Sequence, residues 1–318
     1  MSDRTVLVYF PLADELTQVR TLLDGKSPGI RFAYAAAPEE AEPYLADAEI
    51  FYGWGFPAEM LTRMPKLRWV AKMGAGIDDI APGWPFDASV ILTRTDGRAL
   101  AQPMAEFVLA ALFGQSQRLA HAAALQAARR WEYYMVGSLH NKTVGVAGIG
   151  DIGAYIAERI RPFARRVIGW RRHPSPSAAV DEVFAGREQL HAFAAACDAL
   201  VLVLPMTKDT ANLFDARIFA AMKRGAYLVN VGRGGVVDEE ALLEALRSGR
   251  LAGAMLDVFA TEPLPADHPL WTTEHVIVTP HVSGPLIPEL VVPYFLDNLA
   301  AYCAGRPLKR VVDPKQGY

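Results

Sequence analysis

Short, almost continuously apolar runs alternate with helical patterns in the first hundred residues of the chain. The runs that predict strands are TVLVYF (5–10), IRFAYA (30–35), EIFYGWG (49–55), LRWVAKMG (67–74) and SVILTRT (89–95). Segments with helical spacing lie between them at 12–24, 39–46 and 57–64. Apolar strands separated by helices indicate a parallel sheet that helices cover on both faces.

The segment 101–131 differs from its surroundings, because alanine, leucine and glutamine dominate it and no proline follows Pro103. This composition predicts one long helix or two abutting helices, apolar over much of the surface. A second series of strands and helices follows. Its predicted strands lie at 143–150, 166–172, 199–205, 227–233, 253–259 and 275–280, and its predicted helices start at 151 and cover 187–196, 215–223 and 238–248.

The last apolar segment, 286–304, again predicts a helix, with Pro288 suited to its first turn and Pro293 expected to kink it. Two series of alternating strands and helices, joined by a long helical segment, indicate two doubly wound α/β domains. From the pattern alone, the last helix can return to either domain.

Composition and charge narrow the function classes for this chain of 318 residues. With 52% hydrophobic and 21% charged residues, it has enough apolar side chains for a sizeable core. Its net charge of −3 argues against a nucleic-acid-binding protein, since such proteins draw their affinity from basic surfaces. Cys197 and Cys303 stand in apolar surroundings without metal-ligand spacing, which predicts buried thiols, no metal site and a reducing compartment.

The sequence shows neither a signal peptide nor a membrane-spanning segment. The first apolar run is short and follows Asp3, so we interpret it as a first strand. No stretch of about 18 apolar residues occurs. We therefore expect a cytoplasmic protein whose partners are small molecules, not a membrane or a nucleic acid.

A glycine-rich turn, VGVAGIGDIGAYIAERI, opens the second series with Gly148, Gly150 and Gly153 in a G-x-G-x-x-G pattern. The pattern is weak alone, but here an apolar strand precedes it, a helix follows and a second strand completes the βαβ unit. Gly148 permits the tight turn, Gly150 a close approach of the backbone to a pyrophosphate, and Gly153 close packing of helix on strand. The pyrophosphate would lie at the helix N-terminus, so the turn predicts dinucleotide binding.

The strand that follows ends in VIGWRRHP (167–174), where NAD-binding proteins of this type carry an acid for the adenosine ribose. This chain has Trp170, Arg171 and Arg172 there instead. An arginine cannot accept hydrogen bonds from ribose hydroxyls, but it can pair with a 2′-phosphate. The stretch therefore favours NADP(H) over NAD(H) and leaves NAD(H) open as a second cofactor. The alternative is that both arginines belong to a solvated turn.

Three later strands end in further candidate side chains. They are Arg233 in NVGRGG, Asp257 and Glu262 in LDVFATEP, and His281 in VTPHVSG. Ligands of open α/β sheets bind at the carboxyl ends of strands, so these side chains could converge on the nicotinamide.

These motifs, in this order and at this spacing, resemble the D-isomer-specific 2-hydroxyacid dehydrogenase family over essentially the whole chain. Within it, GAYLVN, GAMLDVF, EPLP, VTPHV and the terminal Gly317-Tyr318 are most similar to the NADPH-dependent glyoxylate/hydroxypyruvate reductases. The resemblance implies a flavodoxin-like substrate domain (1–100 plus 286–318), a Rossmann dinucleotide-binding domain (101–285), a cleft between them and a homodimer supported by the long helical segment.

The chemistry of these residue types agrees with the roles that the resemblance implies. Arg233 can hold the carboxylate and carbonyl oxygens of a 2-keto acid. His281, as imidazolium, can give a proton to the nascent alkoxide. Glu262 can bond the other ring nitrogen, which favours and orients the charged imidazole.

The resemblance also implies cofactor and substrate contacts elsewhere. The Gly74, Ala75 and Gly76 turn can form a nest of amides for the substrate carboxylate, and Trp54 is a candidate wall of the substrate pocket. Asp257 is implied near the nicotinamide carboxamide and Met104 near the cofactor. The remaining implied cofactor contacts are Asp151, Ile152, Leu204, Pro205, Val231, Gly232, Ser283 and Gly284, with Arg233 and His281 shared between cofactor and chemistry.

Two alternatives stay open. A dehydrogenase for a bulkier 2-hydroxy acid has the same motifs, since one sequence does not measure the pocket walls. A dinucleotide-sensing regulatory protein shares the fold, although the intact set of Arg233, Glu262 and His281 argues against lost chemistry. Phosphoglycerate and formate dehydrogenases are less favoured, because the chain lacks an NAD-type acid and a regulatory domain and carries Glu262 where the formate enzymes have glutamine.

Overall fold

A computed structural model describes residues 4–55, 57–77, 80, 84–87 and 89–312, so the terminal Gly317 and Tyr318 lie outside the described residues. The chain divides into two compact units. Unit 1 comprises Met1–Leu100 with Leu286–Tyr318, and unit 2 comprises Ala101–Pro285. No helix in the described part of the chain is long and apolar enough to cross a membrane.

The strands and helices alternate along the chain. The strands are β1 (Arg4–Tyr9), β2 (Ile30–Ala35), β3 (Ala48–Gly53), β4 (Trp69–Lys72), β5 (Ile91–Arg94), β6 (Thr143–Ala147), β7 (Arg166–Arg171), β8 (Glu182–Ala185), β9 (Ala199–Leu202), β10 (Ala226–Asn230), β11 (Leu251–Leu256) and β12 (Val276–Val278). The helices are α1 (Ala13–Leu23), α2 (Pro38–Ala41), α3 (Ala58–Thr62), α4 (Gly97–Ser116), α5 (Leu119–Ala127), α6 (Asp151–Ile160), α7 (Leu190–Ala196), α8 (Ala216–Ala221), α9 (Glu239–Arg247) and α10 (Pro288–Cys303).

Unit 1 is built on a parallel sheet with the strand order β2-β1-β3-β4-β5. This is the flavodoxin-like order of a doubly wound domain. Separate apolar clusters cover its two faces. Phe295 of α10 stacks on Tyr52 with ring centroids 3.8 Å apart and lies 5.4 Å from the Trp69 ring, so the last helix belongs to the first unit.

Unit 2 is built on a second parallel sheet, with the order β12-β11-β10-β9-β6-β7-β8. The strand order reverses between β6 and β9, and in open α/β sheets such a switch point is where ligands bind, outside the carboxyl ends of the strands. The glycine-rich turn follows β6 directly. Both sheets confirm the predicted fold class of two doubly wound parallel α/β units.

Several local predictions need correction. The segment predicted as helical over 101–131 forms two helices, but α4 begins earlier, at Gly97, and α5 ends at Ala127. Arg118 separates them because its backbone is left-handed, with φ 53°. Strand β8 was not predicted, since EVFA is short and half-exposed at the sheet edge. Helix α10 includes Pro293, and the kink expected there stays a prediction.

The two cysteines differ in environment. Cys197 is fully buried, and burial raises the pKa of its thiol to about 12, as expected for an inert core thiol. Cys303 lies exposed at the end of α10, so the prediction that both thiols are buried is wrong for Cys303. The adjacent Tyr302 instead packs on Trp69 and donates its hydroxyl to Glu49 at 2.7 Å.

Asp198 ties the start of β9 to the rest of the unit 2 sheet. Its carboxylate accepts the backbone N–H of Thr143 at 2.8 Å and the Nζ of Lys223 at 2.8 Å. Partial burial acts to raise the pKa of Asp198, but the hydrogen bonds from Lys223 and Thr143 and the lysine charge outweigh it and lower the pKa. The ionised carboxylate therefore stabilises the folded state.

We expect Asp198→Asn to lower the free energy of unfolding by about 1–2 kcal/mol at neutral pH. A carboxyl group with a lowered folded-state pKa stabilises above its unfolded pKa of about 3.9, and the stabilisation is lost as the pH falls through the folded value. Urea denaturation followed by circular dichroism should show the two proteins converging as the pH falls below about 4. A difference that does not depend on pH would rule out the charge as its source.

Candidate active site

The glycine-rich turn takes the conformation that its sequence predicts. Gly148 has φ +97°, and its N–H donates to the Trp170 carbonyl at 2.8 Å. A Cβ on Gly153 would lie 1.9 Å from the Gly148 oxygen, so only glycine allows α6 to approach β6 this closely. No atom lies within 4 Å of the position of a Gly150 Cβ. Open space therefore adjoins Gly150 at the N-terminus of α6, which fits a dinucleotide pyrophosphate.

Close backbone contacts join this turn to the turns after β9 and β10. A Cβ on Gly148 would lie 2.6 Å from the Val203 oxygen, and a Cβ on Gly232 would lie 2.7 Å from the Leu204 nitrogen and oxygen. Leu204 and Val231 are buried, with 7% and 3% exposure. These two predicted cofactor residues can therefore present mainly backbone to a ligand.

The three residues of the WRR stretch have different environments. Trp170 is only 4% exposed, packs in the core of unit 2 and donates its Nε1–H to the Gly186 carbonyl at 2.8 Å. Alternation along β7 turns this ring inward, and the expected contact of Trp170 with the cofactor stays a prediction. Arg171 donates to Ser175 Oγ at 2.5 Å, and Arg172 forms an ion pair with Asp209 at 2.9 Å.

Arg233 lies in the loop after β10, and buried Asn230 shapes that loop. Asn230 is 1% exposed, its Oδ1 accepts the Gly232 N–H at 3.1 Å, and its Nδ2 donates to the Arg233 carbonyl at 3.2 Å. The half-buried Arg233 donates from Nη1 to the Gly232 carbonyl at 2.7 Å. Asn230 was not among the predicted site residues, although it stands as the first residue of the N-x-x-R-G motif.

His281 and Glu262 form the expected pair. The Nδ1 of His281 lies 2.7 Å from Glu262 Oε2, while Glu262 Oε1 accepts the Phe259 N–H at 3.0 Å. The carboxylate is thus held by its own loop and in turn orients the imidazole. Because Nδ1 is engaged, Nε2 is the ring nitrogen left for proton transfer to a substrate.

Asp257 is held by several hydrogen bonds within unit 2. It is fully buried, and its carboxylate accepts the Thr279 hydroxyl at 2.6 Å and the N–H groups of Val282 and Ser283 at 2.9 and 2.8 Å. Its carbonyl accepts the His281 N–H at 2.9 Å. Its implied position near the nicotinamide carboxamide stays a prediction. Asp257 holds the loop that carries His281, which has a left-handed φ of 54°.

The three loops with candidate catalytic residues follow neighbouring strands. Arg233 follows β10, Glu262 follows β11 and His281 follows β12, and the carboxyl ends of these parallel strands share one edge of the sheet. The first two loops touch, because a Cβ on Gly234 would lie 1.8 Å from the Phe259 carbonyl carbon. At the end of the third, a Cβ on Gly284 would lie 3.5 Å from Met104 Sδ, which places Met104 beside the His281 loop.

Unit 1 brings together Trp54 and Gly74, two of the predicted substrate residues. A Cβ on Gly74 would lie 3.1 Å from the Trp54 ring, which is 37% exposed. Thr95 N–H donates to the Gly74 carbonyl at 3.1 Å, and Arg94 Nη1 lies 3.4 Å from the Ala75 carbonyl. The loop of Gly74, Ala75 and Gly76 is thus anchored to the start of the segment after β5.

Residues 4–55, 57–77, 80, 84–87 and 89–312 contain no group of three or more His, Cys, Asp or Glu side chains placed to hold a metal ion.

Asp209, which pairs with Arg172, was not among the residues predicted from the sequence. It lies 37 positions from Arg172, and no local pattern marks the contact.

Comparison with known proteins agrees with this architecture. A family model described as D-isomer specific 2-hydroxyacid dehydrogenase, NAD binding domain, matches residues 109–283. The chain is 36% identical to glyoxylate/hydroxypyruvate reductase A of Serratia proteamaculans over 271 residues, which cover 83% of this chain and 86% of the relative.

Solved structures of similar proteins cover nearly the whole chain. A D-isomer specific 2-hydroxyacid dehydrogenase from Xanthobacter autotrophicus, in complex with NADPH and MES, matches with a TM-score of 0.86, 34% identity and full coverage of both chains. An NADPH-dependent glyoxylate/hydroxypyruvate reductase from Sinorhizobium meliloti, in complex with NADP and sulfate, matches with a TM-score of 0.88 and 32% identity over 99% of this chain and 100% of the other. The chain belongs to the D-isomer specific 2-hydroxyacid dehydrogenase family.

Proposed function

We propose that the protein reduces a small 2-keto acid, such as glyoxylate or hydroxypyruvate, to the 2-hydroxy acid with NADPH. The observation that carries the proposal is the 2.7 Å contact between His281 Nδ1 and Glu262 Oε2 on the strand edge that also carries Arg233. The name of the Serratia relative and the NADPH and NADP complexes of the two solved relatives support the choice of substrate and cofactor.

The cofactor fits the turn after β6, where the space beside Gly150 at the N-terminus of α6 is open to a pyrophosphate. Bound NADPH supplies the hydride for the carbonyl carbon of the keto acid. Arg171 and Arg172 stand at the end of β7, where the 2′-phosphate of the adenosine ribose would pair with a guanidinium.

The protein's own groups bind the keto acid and move the proton. Arg233 holds the substrate carboxylate and stabilises the negative charge that develops on the carbonyl oxygen. His281 donates the proton from Nε2 to that oxygen, so one hydride and one proton convert the carbonyl group to a hydroxyl. Glu262 holds the imidazole ring in place through its contact with Nδ1. Gly74, Ala75 and Gly76 contribute amides to carboxylate binding, and Trp54 walls the pocket.

A panel of 2-keto acids, assayed with NADPH and NADH in parallel, tests the function. We expect glyoxylate and hydroxypyruvate to be reduced, with a higher kcat/KM for NADPH. Activity only on larger 2-keto acids would indicate a dehydrogenase for a bulkier substrate. Tight NADPH binding without reduction of any keto acid would contradict the enzyme proposal and favour a dinucleotide-sensing regulatory protein.

Neutralising both arginines of the WRR stretch should change the KM for NADPH much more than the KM for NADH. We expect the Arg171→Gln, Arg172→Gln double variant to raise the KM for NADPH by about 10- to 100-fold, because charge-assisted bonds to the 2′-phosphate are worth about 1.5–3 kcal/mol. The KM for NADH should change by less than about threefold, since NADH lacks that phosphate. Equal effects on both cofactors would assign the arginines to a solvated turn.

The apolar surface at 119–136 supports a homodimer. Leu119, Trp131, Tyr133, Met135 and Val136 are all large and exposed, with Trp131 completely so. An apolar patch of this kind marks an interaction surface, and a second copy of the chain would cover it. Light scattering after gel filtration should give twice the 34.7 kDa of one chain. The Trp131→Glu variant should shift the mass towards one chain, and an unshifted dimer would place the interface elsewhere.

A further inference from the structure

An ion pair joins the two loops on either side of the glycine-rich turn. Arg172 Nη2 lies 2.9 Å from Asp209 Oδ2, and the two side chains are 54% and 61% exposed. Arg172 follows β7, and Asp209 lies in the loop that follows β9. Strand β6 lies between β7 and β9 in the sheet, and its carboxyl end leads into the glycine-rich turn. The pair therefore joins loops that flank the candidate dinucleotide site.

Asp209 is carried by an ordered turn. Thr210 Oγ1 donates to the Pro205 carbonyl at 2.7 Å, the Thr207 and Thr210 hydroxyls are 3.0 Å apart, and the Ala211 N–H donates to the Thr207 carbonyl at 3.0 Å. These bonds fix the backbone on both sides of Asp209. The turn therefore presents the carboxylate to Arg172 in a defined place.

The two arginines are directed to different partners. Arg171 bonds to Ser175 in its own loop, at 2.5 Å from Oγ, whereas Arg172 reaches the loop after β9. Of the two, Arg172 is thus the guanidinium that already has an anionic partner. A carboxylate offers a guanidinium the same geometry as a phosphate, but with fewer oxygens and less charge.

We propose that Asp209 determines cofactor selectivity by occupying on Arg172 the place that the 2′-phosphate of NADP(H) takes. The inference rests on the proposed function, since it assumes NADP(H) as the cofactor. A 2′-phosphate replaces the carboxylate with a stronger partner for Arg172. NAD(H) brings no such group, so Arg172 stays paired with Asp209 when NAD(H) binds.

The size of the effect follows from the exposure of the pair. An exposed ion pair is worth about 0.2–1 kcal/mol. If NADP(H) must displace Asp209 from Arg172, its binding is weakened by up to about fivefold. Removing the charge of Asp209 should therefore strengthen the binding of NADP(H) and leave the binding of NAD(H) nearly unchanged.

Calorimetric titration of the full chain with NADP+ and with NAD+, without keto acid and at one fixed salt concentration, tests the proposal. We expect Asp209→Asn to lower the Kd for NADP+ by about three- to fivefold. The Kd for NAD+ should stay within about twofold. In an Arg172→Gln background, the same Asp209→Asn substitution should not change the Kd for NADP+, because the competition for the guanidinium is gone.

Glu244→Gln is the matched control, because it removes one negative charge from the exposed surface of α9 in the same unit. It should leave both Kd values unchanged. The proposal is overturned if Asp209→Asn leaves NADP+ binding unchanged or weaker. It is also overturned if Asp209→Asn strengthens NAD+ binding equally, or if the gain persists without Arg172.

The experiment distinguishes this proposal from the proposed function. Binding is measured without a keto acid, so a protein that shows the expected Kd changes but reduces no keto acid would contradict the reductase function and support the role of Asp209. A wild-type protein that reduces glyoxylate but shows no response of NADP+ binding to Asp209→Asn would support the function and overturn the role of Asp209.

Discussion

Replacing His281 with alanine should reduce kcat for glyoxylate and NADPH by about 10²- to 10⁴-fold, the usual contribution of a positioned general acid. His281 is held by Glu262 at 2.7 Å, and Nε2 is the ring nitrogen left to give a proton to the carbonyl oxygen. The Kd for NADPH should hardly change, because the pyrophosphate and ribose sites lie on other loops. Steady-state kinetics and cofactor titration measure the two effects separately.

Two further variants test whether the loss of kcat comes from the loss of the general acid. His281 has φ 54°, and asparagine tolerates this left-handed backbone better than alanine does, so His281→Asn separates loss of the acid from loop strain. His191→Ala removes an exposed histidine of α7 and should leave kcat unchanged. Wild-type turnover in both His281 variants would remove this residue from the role of general acid.

Replacing Arg233 with glutamine should reduce kcat/KM for the keto acid by about 10²- to 10³-fold. The guanidinium is assigned both the substrate carboxylate and the developing oxyanion, so KM should rise and kcat should fall. Asn230 holds the Arg233 carbonyl at 3.2 Å, and therefore the loop backbone should keep its path without the guanidinium. Initial rates over a wide range of glyoxylate concentrations separate the two constants.

Arg233→Lys and Arg247→Gln complete this test. Lysine keeps the charge but cannot form the two parallel bonds of a guanidinium, so it should restore part of the loss in kcat and little of the loss in KM. Arg247 is exposed in the last turn of α9, and its substitution should change neither constant. An Arg233→Gln variant with an unaltered KM for glyoxylate would contradict its role in carboxylate binding.

The match between sequence and structure is best where few neighbouring residues decide the conformation. Gly148 adopts a positive φ and Gly153 has no room for a Cβ, as the spacing of the glycines predicts. The Glu262 and His281 contact also agrees with its motif, since the two loops follow adjacent strands. In these cases local chain geometry and strand order leave little freedom.

The match is poorer where a side chain's surroundings come from distant segments. Trp170 faces the core although the half-buried Arg171 and the exposed Arg172 follow it, because strand alternation and the covering layer decide its direction. The Asp257 carboxylate accepts hydrogen bonds from Thr279, Val282 and Ser283, which lie more than 20 positions away in the sequence. Cys303 is exposed despite its apolar sequence neighbours, whereas the adjacent Tyr302 packs on Trp69 with ring centroids 5.4 Å apart.

By itself, the sequence determined the two doubly wound units, the glycine-rich turn and the candidate set of Arg233, Glu262 and His281. These features depend on hydrophobic period, glycine spacing and strand order, which are local or nearly so. Only the tertiary structure decided that Arg172 pairs with Asp209 and that Asp257 and Asn230 hold the loops of His281 and Arg233. Such contacts depend on which loops the sheet brings together, because a long-range pair leaves no periodic signal along the chain.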